Sequence, residues 1–307
     1  MNEPQGRILV IRGGAIGDFI LTLPALTALR RRFPQSHIEV LGYPHIAQLA
    51  LAGGLADAVR SIEARALAGF FAPGGALDEK LGTSFAGFAL VVSYLYDPDG
   101  VFQSNVARCS QAQFIAGPHR PDDHRNLHAA DVFLRPLERL AIFDADPVPR
   151  LELVSPTDIP LPPGRWLALH PGSGSERKNW PEENWRHLVS GLVQTTEFGL
   201  LLVGGEAERD RLHRLSRVVP QPRCHLAQGL PLVELAQLIK QCVGFVGHDS
   251  GISHLAAALG LRGLLLWSDT NEAVWRPRSE RMTLLRHPGG ITNITVDSVA
   301  AGLSALV

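Results

Sequence analysis

Short apolar runs and longer amphipathic stretches alternate along the chain. The first four segments lie at 7–11, 23–33, 37–42 and 45–51, and their strand-then-helix rhythm predicts βαβ units with parallel strands. Later runs are continuously apolar, which is typical of strands covered on both faces. These runs lie at 90–93, 166–169, 200–203 and 264–267.

This alternation stops at residues 144–163, a proline-rich stretch that suits neither a helix nor an interior strand. We therefore expect two Rossmann-like α/β domains with parallel sheets, residues 1–155 and 156–307, facing one another across a cleft. A length of 307 residues agrees with two domains.

Three prolines mark helices. Pro181 and Pro231 are each followed by acidic residues, which predicts a helix beginning with each proline. Pro24 lies inside the helical pattern at 18–33, where it either kinks one helix or begins the regular part of that helix.

The charge balance excludes several classes of partner. Lys and Arg number 29 against 30 for Asp and Glu, a formal charge of −1, which disfavours nucleic acid or another polyanion as a partner. Apolar residues make up 45% of the chain and charged residues 19%, so intrinsic disorder is excluded.

Cysteine spacing and apolar runs indicate the compartment. Cys109, Cys224 and Cys242 are too far apart for a disulfide framework or a C-x-x-C site. The first residues lack the pattern of a signal peptide, and the most apolar window, 85–96, is shorter than the roughly 20 residues of a membrane span. We expect a reducing, cytoplasmic location and a mature chain beginning near residue 1.

A glycine-rich turn follows the first strand at residues 12–18 and leads into a helix. It lacks the G-x-G-x-x-G dinucleotide fingerprint, because Arg12 stands where the first glycine would be, so a nicotinamide dehydrogenase is disfavoured. Asp18 at this turn is suited to accept a proton from a hydroxyl nucleophile, and a helix cap is the alternative role.

A second loop leaves the strand at 166–169 and carries glycines, hydroxyls and two basic residues. Gly172, Ser173 and Lys178 in this loop are candidates for a phosphate cradle, in which Lys178 supplies a compact positive charge. A solvated basic loop is the alternative interpretation.

A third segment ends a strand near 247 and begins a helix rich in small residues. Amide groups at Ser250 and Gly251 could bind a diphosphate, Asp249 could accept hydrogen bonds from sugar hydroxyls, and His254 lies on the same helix. An ordinary N-cap with a packed histidine is the local alternative. We predict no metal site here, since His248, Asp249 and His254 lack another well-spaced ligand.

A fourth strand, 201–203, is followed by glycines and by Glu206 and Glu208. A carboxylate at such a strand end can bind ribose hydroxyls. Surface acids at a helix N-terminus are the alternative.

Several of these segments, taken in order, resemble the ADP-heptose:lipopolysaccharide heptosyltransferase family, inverting glycosyltransferases of the GT-B fold. Residues 17–26 (GDFILTLPAL) are similar to its G-D-x-x-x-T-L-P-A-L signature, 178–181 (KNWP) to its K-x-W-P loop, and 249–258 (DSGISHLAAA) to its D-[ST]-G-x-x-H-L-x-A-A motif. Segment 128–142 is similar to its inter-domain helical region, and 266–277 to its late loop with altered letters. His248 and Ser268 depart from the family's pattern.

The resemblance implies roles for these residues. Asp18 would be the catalytic base, Lys178 and Ser173 would bind the diphosphate, and Glu208 or Glu206 would bind the ribose. The residues around the donor sugar and phosphates would be Asp249, Ser250, Gly251 and His254.

The implied reaction moves a heptose, or a related sugar, from an ADP-sugar to a hydroxyl of a lipopolysaccharide-core-like glycan or glycolipid. We expect no metal or other cofactor, and a lipid-linked acceptor would bring peripheral contact with the inner face of the inner membrane. Alternatives are a UDP-sugar transferase or epimerase of the same fold and a non-catalytic nucleotide-sugar-binding protein. A basic cluster of His119, Arg120, His124 and Arg125 could meet an acidic acceptor, with solvated loop charge as the alternative.

Overall fold

The chain divides into two compact units, Met1–Val154 and Ser155–Val307. The computed structural model describes residues 6–154 and 159–306. The predicted domains, 1–155 and 156–307, differ from these units by one residue. Part of the predicted linker, 155–158, lies outside the described residues.

The N-terminal unit is a five-stranded parallel sheet in the order β3-β2-β1-β4-β5. Its strands are β1 (Arg7–Arg12), β2 (His37–Gly42), β3 (Ala58–Ser61), β4 (Leu90–Ser93) and β5 (Gln113–Ala116). Its helices are α1 (Ile16–Arg32), α2 (Pro44–Ala52), α3 (Glu79–Ala86), α4 (Val101–Ala107) and α5 (Ala129–Leu134).

The C-terminal unit is a six-stranded parallel sheet in the order β11-β10-β9-β6-β7-β8. Its strands are β6 (Trp166–Leu169), β7 (Gly199–Gly204), β8 (Cys224–Gln228), β9 (Gly244–His248), β10 (Gly263–Leu266) and β11 (Met282–Leu285). Its helices are α6 (Glu182–Thr195), α7 (Arg209–Ser216), α8 (Leu232–Lys240), α9 (Gly251–Ala258), α10 (Glu272–Trp275) and α11 (Val296–Ser304). The prediction of two Rossmann-like parallel α/β units is confirmed.

Strand order fixes where each unit can bind a ligand. In both sheets the strand order reverses beside the unit's first strand, between β1 and β4 and between β6 and β9. Loops that leave two such strands diverge to opposite faces, so a crevice opens at their carboxyl ends. Each unit therefore has one topological switch point, formed by the loops after β1 and β4 in the first unit and after β6 and β9 in the second.

Helix α1 begins earlier than predicted and runs through Pro24. Residues 19–26 of this helix are all buried, and the helix packs against α5. Packing of this apolar segment therefore outweighs the backbone hydrogen bond that the proline cannot donate.

Three further expectations about helices differ from the structure. Pro181 and Pro231 precede α6 and α8 as N-cap residues, with extended ψ angles, instead of opening the helices. The segment 128–142, expected between the domains, forms α5 and a 3₁₀ turn within the N-terminal unit.

Each unit has a hydrophobic core of its own. Aromatic rings dominate the N-terminal core, where Phe85 contacts Phe70 and Phe102. Two edge-to-face tryptophans, Trp180 and Trp185, are buried in the C-terminal core. Among the described residues, no helix combines the length and apolar character needed to cross a bilayer.

Candidate active site

Asp18 lies at the third position of α1, at the switch point of the N-terminal unit. Its Oδ2 accepts a hydrogen bond from the backbone N–H of Ala15 at 3.2 Å, so the carboxylate does serve the helix N-terminus. Gly14 adopts a φ of +100°, and a Cβ there would lie 3.1 Å from the same Oδ2. The glycine turn therefore brings the backbone close to a carboxylate that remains 26% exposed.

Arg12, the last residue of β1, is the buried partner of Asp18. Its side chain is 2% exposed and its Nη2 lies 3.6 Å from Asp18 Oδ1 and 3.3 Å from the Asp18 carbonyl oxygen. Nη1 donates to the carbonyl of His119 at 2.8 Å, and the guanidinium stacks over Phe133 at 4.4 Å. Burial lowers the pKa of Arg12, and the Asp18 carboxylate opposes that shift. The charge beside Asp18 is therefore held in place from three sides.

The loop at residues 170–181, here called the donor loop, leaves β6 at the switch point of the C-terminal unit. His248, at the end of β9, contacts both ends of this loop. Its Nε2 accepts a hydrogen bond from the Trp180 backbone N–H at 2.9 Å, and its Nδ1 lies 3.0 Å from the Gly172 carbonyl oxygen. With Nε2 as acceptor, Nδ1 is the donor, so a neutral imidazole satisfies both contacts.

Arg211 of α7 holds the donor loop from another side. Its Nη1 donates to the Pro171 carbonyl at 2.9 Å, and its Nη2 pairs with the Glu176 carboxylate at 3.2 Å. The loop is consequently fixed by neighbours on two other elements before any ligand binds.

Two histidines are buried and neutral, one at the start of the donor loop and the other at the end of β9. Burial lowers the pKa of His248 to about 4 and that of His170 to about 3. His170 Nδ1 lies 3.3 Å from the hydroxyl of Ser250. These rings therefore act as hydrogen-bonding groups without charge near neutral pH.

Lys178 and Asp249 form an ion pair across the switch point, with Nζ 2.5 Å from Oδ2. Asp249 directly follows β9, and Ser250 is the N-cap of α9, its hydroxyl accepting a hydrogen bond from the backbone N–H of Ser253. A cation, a carboxylate and the first turn of a helix therefore share one site. Lys178 cancels the negative charge of Asp249, so the partial positive charge at the N-terminus of α9 is left to attract an anion.

Glu208 and Glu206 occupy different surroundings. Glu208 Oε2 accepts a hydrogen bond from the Gly205 backbone N–H at 2.9 Å, and a Cβ on Gly172 would overlap its side chain. Glu206 is 87% exposed and pairs with Arg209. The structure places Glu208, and not Glu206, against the donor loop.

The remaining predicted site residues lie in the donor loop or in α9. Ser173 lies in the donor loop, where its hydroxyl donates to the Ser175 carbonyl at 2.7 Å. Gly251 opens α9, and His254 is buried one turn further along, as in the packed-histidine alternative.

Arg12, His248 and Arg211 are the residues to which the sequence assigned no role in a site. A charged residue ending an apolar strand was a readable signal for Arg12. His248 likewise ends an apolar strand, β9, whereas its contact with the Gly172 carbonyl, 76 residues away, could not be read from the sequence. No such signal existed for Arg211, whose partner, the Pro171 carbonyl, lies 40 residues away along the chain.

The predicted basic cluster of the N-terminal unit is balanced by acids. Arg120 pairs with Asp123 at 3.3 Å and Arg125 with Asp122 at 3.4 Å. Two arginines and two aspartates cancel in formal charge, so this surface does not favour an acidic acceptor.

No group of three or more His, Cys, Asp or Glu side chains within 6–154 and 159–306 is arranged to hold a metal ion. The absence of a metal from the reaction stays a prediction.

Comparison with known proteins shows a family similarity that lies in the C-terminal unit. Residues 156–293 match the sequence profile of glycosyltransferase family 9 (heptosyltransferase). Lipopolysaccharide heptosyltransferase 1 of Escherichia coli O18:K1:H7 is 25% identical over 147 residues, 47% of this chain and 44% of the relative. The chain thus spans less than half the length of that curated relative in the alignment. These matches confirm the resemblance to the heptosyltransferases.

Solved structures match over the full length. A glycosyl transferase family 9 structure from Veillonella parvula covers 100% of this chain and 98% of its own, with a TM-score of 0.79 and 19% identity. The E. coli heptosyltransferase WaaC with ADP covers 98% of this chain and 100% of its own, with a TM-score of 0.75 and 19% identity. At this identity the two structures show a shared fold.

Proposed function

We propose that the chain is an inverting sugar transferase, because residues 156–293 match the glycosyltransferase family 9 (heptosyltransferase) profile. The donor is an ADP-sugar carrying a heptose or a related sugar. The acceptor is a hydroxyl of a lipopolysaccharide-core-like glycan. The observation that carries this proposal is the pairing of Lys178 with Asp249 beside the N-terminus of α9.

The donor side follows from the charges at this switch point. Lys178 and the amides at Ser250 and Gly251 would stabilise the diphosphate and the charge that builds on it as it departs. Asp249 would accept hydrogen bonds from the sugar hydroxyls, and Glu208 from the ribose. The ADP in the solved E. coli relative supports adenosine as the nucleoside.

The acceptor side follows from Asp18. Its carboxylate would take the proton of the acceptor hydroxyl while the hydroxyl oxygen forms a bond to the anomeric carbon. The bond from that carbon to the diphosphate oxygen breaks at the same time, so ADP leaves and the configuration inverts. Because Lys178 and backbone amides carry the leaving-group charge, we propose that no metal is needed.

We propose a location on the cytoplasmic face of the inner membrane, where a lipid-linked core would be met. The names of the curated relatives support lipopolysaccharide as the acceptor class.

The first experiment compares ADP, UDP and GDP by thermal shift. A ligand that binds only the folded state raises the melting temperature, so ADP alone should stabilise at concentrations well above its Kd. Stabilisation by UDP instead would favour a UDP-sugar transferase or epimerase. Binding of ADP without any turnover of ADP-heptose, with or without acceptor, would favour a non-catalytic protein.

The second experiment tests whether Asp18 acts as the base without contributing to ADP binding. Asp18→Asn keeps an oxygen for the Ala15 N–H but cannot take a proton, so transfer should fall by about 10²–10⁴-fold while the ADP thermal shift is unchanged. Asp297→Asn is the control, because Asp297 is an exposed acid in the first turn of α11. Full transfer activity in Asp18→Asn would exclude this residue as the base.

A further inference from the structure

We propose that the rings of Tyr96 and His119 form a stacking surface for a sugar ring of the acceptor. The inference rests on the proposed transfer reaction and names a binding contact for its second substrate. Tyr96 lies in the loop after β4, and Asp18 lies in the turn and helix after β1. These are the two loops that diverge at the switch point of the N-terminal unit, where a ligand crevice is expected.

Exposure separates Tyr96 from the other aromatic residues of this region. Its side chain is 71% exposed, whereas Tyr94, two residues earlier, is buried with its hydroxyl donating to the Phe133 carbonyl. The ring of Tyr96 lies 4.7 Å from the ring of His119 at an interplanar angle of 65°. On a continuous strand Tyr94 and Tyr96 would share a face. Strand β4 ends at Ser93 and the chain bends at Leu95, so Tyr94 supports the core while Tyr96 faces solvent.

Arg12 connects this pair of rings to the proposed base. One guanidinium nitrogen donates to the His119 carbonyl at 2.8 Å, and the other lies 3.6 Å from Asp18 Oδ1. Because Arg12 is buried and stacked on Phe133, the His119 backbone and the Asp18 carboxylate are held in fixed relation. A sugar on these rings would therefore be bound by a segment that Arg12 connects to the group that must take its proton.

The chemistry of the surface suits a sugar better than an anion. An aromatic face carries negative quadrupole charge, which attracts the weakly positive C–H groups on the face of a pyranose ring. Arg120, which follows His119, pairs with Asp123, and Arg125 pairs with Asp122, so these two arginines provide no net positive charge. The acceptor's ring, and not its acidic groups, is what this surface would bind.

The test uses de-acylated, heptose-free lipopolysaccharide core as the acceptor probe. Tyr96→Ala should raise the acceptor KM about tenfold, the size expected from loss of one stacking contact, and leave the donor KM unchanged. Tyr96→Phe keeps the ring and should behave as the wild type. Phe143→Ala is the matched control, because Phe143 is an equally exposed aromatic residue, 71%, elsewhere in the same unit.

Saturation-transfer NMR with the same probe measures binding without turnover, so failure of the transfer reaction does not decide the result. Weaker binding in Tyr96→Ala and in His119→Ala, with normal binding in Tyr96→Phe and Phe143→Ala, supports the stacking surface. Wild-type affinity in Tyr96→Ala overturns it, as does an equal loss in Phe143→Ala or in Tyr96→Phe. No binding of the probe to the wild type also overturns it, and the ADP thermal shift still tests the donor site.

Discussion

At the residue scale, one side chain fixes the conformation of the donor loop in the C-terminal unit. His248 accepts a hydrogen bond from one end of the donor loop and contacts the carbonyl oxygen at the other, so one neutral ring fixes both ends. A second proton on the ring would remove the acceptor and place a charge in a buried site. Acidification should therefore lower the free energy of unfolding and also release the hydrogen bond that holds the donor loop.

The sign of that effect follows from the two histidines. Burial lowers the pKa of His248 to about 4 and of His170 to about 3, from an ordinary value of 6.5. Between these values the unfolded chain binds protons that the folded chain does not. The two histidines should thus make the free energy of unfolding fall as pH drops below about 6.5, by at most about 1.4 kcal/mol per pH unit for each histidine, and contribute no slope above that pH.

Urea unfolding from about pH 7.5 to about pH 5 measures this slope, since most carboxylates titrate lower. His248→Gln should flatten it by the contribution of one histidine. His213→Gln should leave it unchanged, because His213 is exposed on α7. An unaltered slope in His248→Gln would show that this ring is not the titrating group.

At the residue scale the sequence could name candidates but not choose between their roles. Asp18 was predicted as a base or as a cap, and one carboxylate oxygen takes the capping hydrogen bond while the other faces Arg12. Glu206 and Glu208 were equivalent in the sequence and are distinguished by the contact of Glu208 with Gly172. The contact between Glu208 and Gly172 joins residues 36 apart in the chain, which local patterns do not report.

At the scale of elements, the donor loop depends on close packing against Glu208. A Cβ on Gly172 would overlap the Glu208 side chain, which would have to move, whereas a Cβ on Gly174 would meet nothing within 4 Å. The two glycines lie two residues apart in one loop and so form a matched pair.

Gly172→Ala should displace the Glu208 side chain and weaken ADP binding by about tenfold, the loss of about one hydrogen bond to a charged group. Gly174→Ala should bind ADP as the wild type does. Isothermal titration calorimetry measures both. Equal affinities in the two variants would mean that Glu208 does not contact the nucleotide.

The positions of strands could be predicted from the sequence, whereas the ends of helices could not. Continuous apolar runs placed β4 and β6 to the residue and β7 and β10 to within one residue, because a buried parallel strand is apolar throughout. The start of α1 was missed, since the glycine turn before it ends sooner than its composition suggests. Helix α1 continues through Pro24 because packing against α5 stabilises the helix on both sides of the proline.

At the scale of the whole molecule, the two units could be predicted because the alternation of strand and helix patterns stops at residues 144–163. Each unit has its own sheet and core, and every residue proposed to bind the donor lies in the C-terminal one.

Expressed alone, residues 155–307 should therefore unfold cooperatively and be stabilised by ADP, whereas residues 1–154 should show no ADP thermal shift. Circular dichroism melts of both fragments with and without ADP measure this. Stabilisation of the N-terminal fragment would place nucleotide contacts in the wrong unit.

The same reversal of strand order occurs once in each unit, beside the unit's first strand. Each unit therefore has loops of its own at its switch point. Exchanging residues 1–154 for the corresponding half of a relative is then a route to chimaeras that accept new glycans from an unchanged nucleotide.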